Sequence, residues 1–228
     1  MKIEMYSDYA CPFCYIGKRQ LEQALAQFEH ADDVEIVHKA FELYPHAGDS
    51  VSNTTQGRIE RKYGKSPTGA MQMIRGIEAM AAKAGLAMNY ENVQNTNTFN
   101  AHRLTKLAHS LGKGDAMNER LFQAYFIENL PLANRDNLIR LAEAVGIARE
   151  QVENMLDSDA FTAETRADLA QAQQVGVQAV PFFVVDGQVS LAGSQPAAHF
   201  LSVLNQAWAD SAQPLLQEGA ACGVDGCR

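Results

Sequence analysis

Residues 2–14, KIEMYSDYACPFC, carry the strongest structural pattern of the sequence. Polar and apolar side chains alternate over residues 2–7, which predicts a short β-strand. Pro12 suits the first turn of an α-helix, because the amide hydrogen that proline lacks would have no partner there. The apolar residues that follow recur at helical spacing, at Ile16, Leu21, Leu25 and Phe28. The stretch therefore predicts a strand that passes into a helix carrying two cysteines at its N-terminus.

Beyond this helix, the sequence predicts a second strand, a long helical region and a hairpin. Apolar residues at 34–37 favour the strand, whereas residues 45 to about 65 are polar and turn-rich. From Ser66 to Gly176 one helical pattern follows another, and glycine ends four of these helices. Residues 182–191 predict two strands joined by a two-residue turn, Asp186-Gly187. A closing helix follows, up to Trp208.

These patterns predict an α/β protein interrupted by an all-helical insertion. We expect residues 1–45 and 177–210 to form the strand-containing domain and residues 46–176 to form the helical insertion domain. The last segment, 211–228, is rich in Gln, Gly and Ala. We expect it to be an irregular tail.

The amino-acid composition argues against several kinds of binding partner. The 228 residues include 19 Lys and Arg against 27 Asp and Glu, a net charge of −8. An acidic chain lacks the broad basic surface that nucleic-acid binding needs, so we expect no nucleic-acid partner. No run approaches the roughly 18 apolar residues of a membrane span, and we expect no membrane association. The N-terminus has no apolar region typical of a secretory signal, which predicts a cytoplasmic location.

The spacing of Cys11 and Cys14 indicates redox chemistry. A thiolate is the nucleophile of disulfide exchange, and the positive end of a helix stabilises that anion. Cys14, one turn deeper, can attack the resulting mixed disulfide and release the product. The same spacing also occurs in zinc sites, where it usually sits in a glycine-rich hairpin. The predicted helix after Cys11 favours the redox interpretation over a zinc site. The histidines also lack the paired spacing of metal ligands, so we expect no bound metal.

Three segments together resemble the thioredoxin superfamily, its DsbA-like branch and, within that branch, the FrnE subgroup. They are SDYACPFC at 7–14, FNAHRL at 99–104 and GVQAVPFF at 176–183. The resemblance covers nearly the whole chain and implies a thioredoxin fold with a large all-helical insertion. It also implies a thiol–disulfide oxidoreductase, with disulfide isomerase activity as a further expectation. The expected reaction partners are protein or small-molecule thiols and disulfides, with no cofactor beyond glutathione as a co-substrate, in a monomer or homodimer.

The resemblance also assigns roles to individual residues. It implies that Cys11 is the nucleophile and Cys14 the resolving thiol. Pro181 corresponds to the family's cis-proline, which would place the Val180 backbone beside Cys11 to pair with an extended substrate. The alternative for Pro181 is an ordinary proline at the start of a strand. The remaining expected substrate contacts are Pro12, Phe13, Asn100, His102 and Arg103, although the last three also suit a capped, solvated helix face.

A second cysteine pair, Cys222 and Cys227, lies in the predicted tail. It resembles a C-terminal pair of some FrnE-like proteins. This resemblance implies an auxiliary redox pair that exchanges electrons with Cys11 and Cys14. The disulfide loop would be too short to stabilise the fold by much. The alternatives are two incidental thiols or a metal clip with Asp225.

Two other functions compete with the oxidoreductase. One is a glutathione-dependent isomerase related to 2-hydroxychromene-2-carboxylate isomerase, a group that tends to carry serine in place of the nucleophile. The presence of Cys14 argues against it. The other is a non-enzymatic zinc-binding module that uses all four cysteines.

Overall fold

A four-stranded mixed sheet forms the centre of the computed structural model, which describes residues 1–211, 222–223 and 226–227. The spatial order of its strands is β2-β1-β3-β4. Strands β1 and β2 are parallel, and the other two pairings are antiparallel. The strand bounds are β1 Lys2–Ser7, β2 Glu35–Ala40, β3 Phe182–Val185 and β4 Val189–Ala192.

Nine α-helices accompany the sheet in the described part of the chain. Two of them, α1 and α9, pack against each other, and the seven helices α2–α8 form the insertion between β2 and β3. The helix bounds are α1 Pro12–Leu25, α2 Thr55–Tyr63, α3 Pro67–Lys83, α4 Phe99–Ser110, α5 Gly114–Phe126, α6 Arg135–Ala144, α7 Arg149–Leu156, α8 Thr162–Val175 and α9 Ala197–Ser211. The predicted fold class, α/β with an all-helical insertion, is therefore confirmed. Among the described helices, none is long and apolar enough to cross a membrane.

Two local predictions were wrong. The segment between 45 and 65, predicted to be turns, contains helix α2, whose N-cap Thr54 accepts a hydrogen bond from the Gly57 amide at 3.1 Å. The buried face of α2 consists of Thr55, Arg58 and Ile59, so polar residues occupy most of it and hydrophobic periodicity does not reveal the helix.

The β3–β4 hairpin also differs from its prediction. Val185 pairs with Val189, which leaves a three-residue loop in place of the predicted two-residue turn. Asp186 and Gly187 both adopt left-handed backbone angles, and the Gln188 amide then donates to the Val185 carbonyl at 3.0 Å. The extra residue closes the loop after the two left-handed positions.

Charged contacts hold the insertion on the sheet. The buried Asp168 of α8 accepts hydrogen bonds from the Ala40 amide at 3.0 Å and forms ion pairs with Lys39, at 3.1 Å, and Lys106. These contacts join α8 and α4 to the end of β2. Buried ion pairs keep their side chains in fixed positions when every charge has a partner, because breaking one pair leaves an unpaired charge in the interior.

A second charged cluster joins α1 to α5. Glu119 accepts from the Tyr15 hydroxyl at 2.7 Å and from the Lys18 and Arg19 side chains at 2.6 and 2.7 Å. The insertion is thus fixed to the helix that carries the two cysteines as well as to the sheet.

The tail contributes a short backbone ladder. Two-residue strands β5 Cys222–Gly223 and β6 Gly226–Cys227 pair antiparallel, with Cys222 opposite Cys227. The rest of the predicted tail, and the side chains of both cysteines, lie outside the described residues. The role of this pair stays a prediction.

Helix α1 approaches the segment before β3 at a glycine. A Cβ atom at Gly17 would lie 3.0 Å from Pro181 Cγ and 3.3 Å from Phe183 Cζ. Only glycine lets the helix reach this distance, because any side chain would push Pro181 or the aromatic ring away.

We therefore expect Gly17→Val to lower the free energy of unfolding by about 1–3 kcal/mol through overpacking. The matched control is Gly76→Val in α3, where a Cβ would meet no atom within 4 Å. That change should alter stability by less than about 0.5 kcal/mol. Urea unfolding of both variants measures the difference, and equal stabilities would contradict the close-contact argument.

Candidate active site

Cys11 and Cys14 occupy the N-terminus of helix α1. Cys11 is the N-cap residue, Pro12 is the first helical residue, and Cys14 lies one turn inside. The Cys11 amide donates to the Asp8 carbonyl at 3.0 Å, and the Cys14 amide donates to the Cys11 carbonyl at 3.1 Å. Both cysteines carry free thiols. The positive end of the helix dipole therefore lies beside both sulfur atoms.

The two thiols have different surroundings. Cys14 is completely buried, whereas Cys11 is 4% exposed and lines a surface cavity. Burial raises the pKa of the Cys14 thiol well above its ordinary value, and a hydrogen bond with Cys11 raises it further. Cys14 is therefore protonated at neutral pH, and of the two thiols only Cys11 lines the cavity.

The segment before β3 lies directly against Cys11. The Val180–Pro181 peptide bond is cis. The Cys11 thiol donates a hydrogen bond to the Val180 carbonyl oxygen at 3.4 Å. Residues 11 and 180, far apart in the sequence, thus meet at one site, as the sequence analysis expected from resemblance.

Asp8 organises the loop between β1 and the cysteines. Its carboxylate is fully buried and accepts hydrogen bonds from the amides of Ala10, at 3.2 Å, and Leu43, at 2.7 Å. The His102 Nε2 atom lies 3.6 Å from the same carboxylate, and its ring packs on Tyr9. His102 is therefore placed beneath the cysteine loop. This role of Asp8 cannot be predicted from the sequence, since a lone acidic residue in a loop is usually solvated.

The structure gives Arg103 and Asn100 a different place from the expected substrate cleft. The Arg103 guanidinium donates to the carbonyls of Met155, at 2.6 Å, and Ala160, at 2.9 Å. It also donates to the Asn100 side-chain oxygen at 3.0 Å. Its donors are used in holding α4 against the end of α7, and neither residue lines the cavity beside Cys11.

A surface cavity of about 270 Å³ opens beside Cys11. Its lining includes Pro12, Phe13 and Val180, three of the predicted substrate-contact residues. It also includes three residues that were not predicted from the sequence, Arg58, Lys62 and Tyr90. Two of them belong to α2, the helix that hydrophobic periodicity does not reveal.

Within the described residues, no three metal-ligating side chains are grouped so that they could hold a metal ion. The zinc alternative that uses all four cysteines depends on the side chains of Cys222 and Cys227, which lie outside that part of the chain.

Comparison with known proteins identifies close structural and sequence relatives. Residues 2–205 match the family described as DSBA-like thioredoxin domain. A crystal structure of a probable DsbA oxidoreductase, SCO1869 from Streptomyces coelicolor, is 36% identical, with a TM-score of 0.89 over 100% of this chain and 98% of that one. The uncharacterized protein YwbO of Bacillus subtilis is 30% identical over 82% of this chain and 88% of its own length.

Two more distant structures share the fold. A 2-hydroxychromene-2-carboxylate isomerase is 16% identical, with a TM-score of 0.67 over 93% of this chain and 98% of that one. The cytosolic disulfide reductase DsbM from Pseudomonas aeruginosa, solved with GSH, is 17% identical, with a TM-score of 0.65 over 92% of this chain and 100% of that one.

The difference between the two thiols predicts selective alkylation. In the reduced protein at pH 7, iodoacetamide should modify Cys11 at least about tenfold faster than Cys14, because only a thiolate reacts and the raised pKa of Cys14 keeps it protonated. Burial acts on Cys14 even without its neighbour, so Cys14 in a Cys11→Ser variant should still react much more slowly at pH 7 than Cys11 does in the native chain. Peptide mass spectrometry measures each site separately. Equal rates at both cysteines would contradict the burial argument.

Proposed function

The chain belongs to the DSBA-like thioredoxin family, and from that premise we propose that it is a thiol–disulfide oxidoreductase with Cys11 and Cys14 as its redox pair. The observation that carries the proposal is the placement of the dithiol. One thiol lines an open cavity at a helix N-terminus, and the other is buried behind it. This arrangement suits a nucleophile and a resolving thiol. We also propose the FrnE subgroup as the finer assignment, on the three sequence segments described above.

The proposed reaction transfers two electrons. The Cys11 thiolate attacks one sulfur of a substrate disulfide RSSR, which breaks the S–S bond, forms a Cys11–SR mixed disulfide and releases one RS⁻. Cys14 then gives up its proton and attacks Cys11 Sγ, which releases the second RS⁻ and forms the Cys11–Cys14 disulfide. The two protons of the dithiol end on the two RSH products. The reverse sequence oxidises two thiols to RSSR, so one site serves either direction.

The helix and the cis-proline segment have separate roles in this scheme. The helix N-terminus stabilises the attacking thiolate through its free amides and dipole. The Val180 carbonyl, 3.4 Å from Cys11 Sγ, marks the side on which an extended substrate would pair, with Pro12 and Phe13 flanking the sulfur. We propose these three residues as substrate contacts, together with Pro181, which holds Val180 in place.

We propose glutathione as a co-substrate of this reaction. The support is the cationic cavity beside Cys11, and the fold is shared with a disulfide reductase solved with GSH. A glutathione-dependent isomerase of the hydroxychromene-carboxylate type shares the same fold. The buried thiol of Cys14 favours the dithiol mechanism over it, because an isomerase that uses only the thiol of glutathione needs no resolving cysteine.

A redox titration tests the proposed function. The protein is equilibrated in glutathione buffers of graded potential, its free thiols are alkylated, and the sites are mapped by mass spectrometry. We expect Cys11 and Cys14 to oxidise together as one reversible two-electron couple. A midpoint near the thioredoxin value of about −270 mV indicates a reductase, and one nearer −120 mV indicates an oxidase.

The matched control for the titration is Cys14→Ser. Without the resolving thiol, this variant should accumulate the Cys11 mixed disulfide in the more oxidising buffers, which adds the mass of one glutathione. If neither the two-electron couple of the native chain nor the trapped adduct of the variant appears, the oxidoreductase proposal is wrong.

We propose that Cys222 and Cys227 pass electrons to or from the Cys11–Cys14 pair. In the variant with both tail cysteines replaced by serine, multiple turnover should slow, while a single reaction of pre-reduced Cys11 with substrate should keep its rate. Stopped-flow and steady-state assays separate the two. Unchanged steady-state turnover would show that the tail pair is incidental.

A further inference from the structure

Arg58 of α2 is a buried cation whose two terminal nitrogens have no hydrogen-bond partner within 3.5 Å, with the hydroxyl groups of Tyr90 and Tyr125 among its polar neighbours. The residue is only 9% exposed, and Nη1 and Nη2 are both inaccessible to solvent. Among the described residues, no carboxylate lies within ion-pair distance of it. Burial of an unpaired charge is costly, so buried arginines are normally paired with an anion.

Aromatic groups and a second cation surround this guanidinium. The Tyr44 ring centroid lies 5.4 Å from Arg58 Cζ and 4.9 Å from Lys62 Nζ, so one ring contacts both cations. Lys62 follows Arg58 by one helical turn and is exposed, which places it at the mouth of the cavity. Burial raises the pKa of Tyr90 to about 12, so this cavity-lining hydroxyl keeps its proton.

The cavity that contains Arg58 and Lys62 is the one that contains Cys11. No acidic residue lines it in the described part of the chain. The chain as a whole carries a net charge of −8, so this local positive charge runs against the average. A volume of about 270 Å³ admits a small molecule and excludes a folded protein domain.

We propose that Arg58, with Lys62 at the entrance, forms a carboxylate-binding subsite for the substrate of Cys11. The preferred substrates are then low-molecular-weight disulfides and thiols that carry a carboxylate. The planar fork of a guanidinium matches a carboxylate in two parallel hydrogen bonds, which fixes both the position and the orientation of the ligand. To form them, the ligand must displace the side chains that cover Nη1 and Nη2 in this structure. This inference rests on the proposed dithiol exchange and adds the substrate class to it.

The probes are two disulfides of the same shape and different charge. One is 3,3′-dithiodipropionate, a dianion, and the other is its neutral diamide. Each oxidises the reduced dithiol and yields two thiols, by the balanced exchange described above. The measured quantity is the ratio of the two second-order rates, which is compared between variants so that intrinsic differences in probe reactivity cancel.

Loss of the guanidinium should change this ratio. For Arg58→Met, we expect the preference for the dianion to fall about 10- to 100-fold, the range for a hydrogen bond to a charged group. Arg58→Lys should give an intermediate ratio, because it keeps the charge and loses the fork. The matched control is Arg61→Met, which removes an exposed cation of the same helix that does not line the cavity and should leave the ratio unchanged.

A measurement on the native chain keeps the proposal testable if the Arg58 variants do not fold. Suberate has the shape of the dianionic probe without its S–S bond, and suberamide is its neutral counterpart. Suberate should slow the alkylation of Cys11, and suberamide at the same concentration should not. Equal effects of the two would overturn the subsite.

The outcomes separate the two proposals. If the native chain reacts with the diamide but shows no preference that depends on Arg58, the subsite is wrong and the oxidoreductase stands. If Arg58→Met slows only the reaction with a peptide disulfide that contains glutamate, the small-molecule proposal is wrong and Arg58 binds acidic side chains of protein substrates. If neither probe oxidises the native dithiol, the subsite is wrong. The oxidoreductase is then wrong as well only if the glutathione titration also shows no Cys11–Cys14 couple.

Discussion

The close approach of helix α1 to the segment before β3 is the contact on which the active site depends. Gly17 lies against Pro181, and Cys11 Sγ contacts the Val180 carbonyl. The entire helical insertion separates these two segments in the sequence. They meet because β1 occupies the centre of the sheet and pairs with β2 on one side and β3 on the other. The sheet topology therefore brings Cys11 and the backbone that faces it together from segments on either side of the insertion.

Cys11 and Cys14 are only one helical turn apart, yet their thiols differ chemically because one lies at the cavity and the other in the core. Cys11 lines the cavity, and Cys14 points into the packed interior behind it. Asp8 fixes the loop that enters the helix, through the amides of Ala10 and Leu43. The buried carboxylate thus ties the cysteine loop to the segment after β2, so the geometry of the dithiol does not depend on the helix alone.

The helical insertion contributes side chains to the cavity beside Cys11. Asp168 and Glu119 fix α8, α4 and α5 to the sheet and to α1 through buried and half-buried charged contacts. Helix α2 then presents Arg58 and Lys62 to the cavity beside Cys11. The strand-containing part therefore supplies the two cysteines, and the insertion supplies the charges that line the cavity beside Cys11.

The strand–helix opening, the dithiol at the helix N-terminus and the helical insertion follow from the sequence alone, because periodicity, Pro12 and the glycines that end helices are local features. Which side chains share the cavity depends instead on the tertiary structure. Helix α2 escaped prediction because its buried face is made of Thr55 and Arg58 beside a single Ile59. Arg103, expected at the substrate, instead holds carbonyls at the end of α7. A polar side chain looks the same in the sequence whether it faces solvent, a carbonyl or a cavity, and its partner is set by contacts between segments that are distant along the chain.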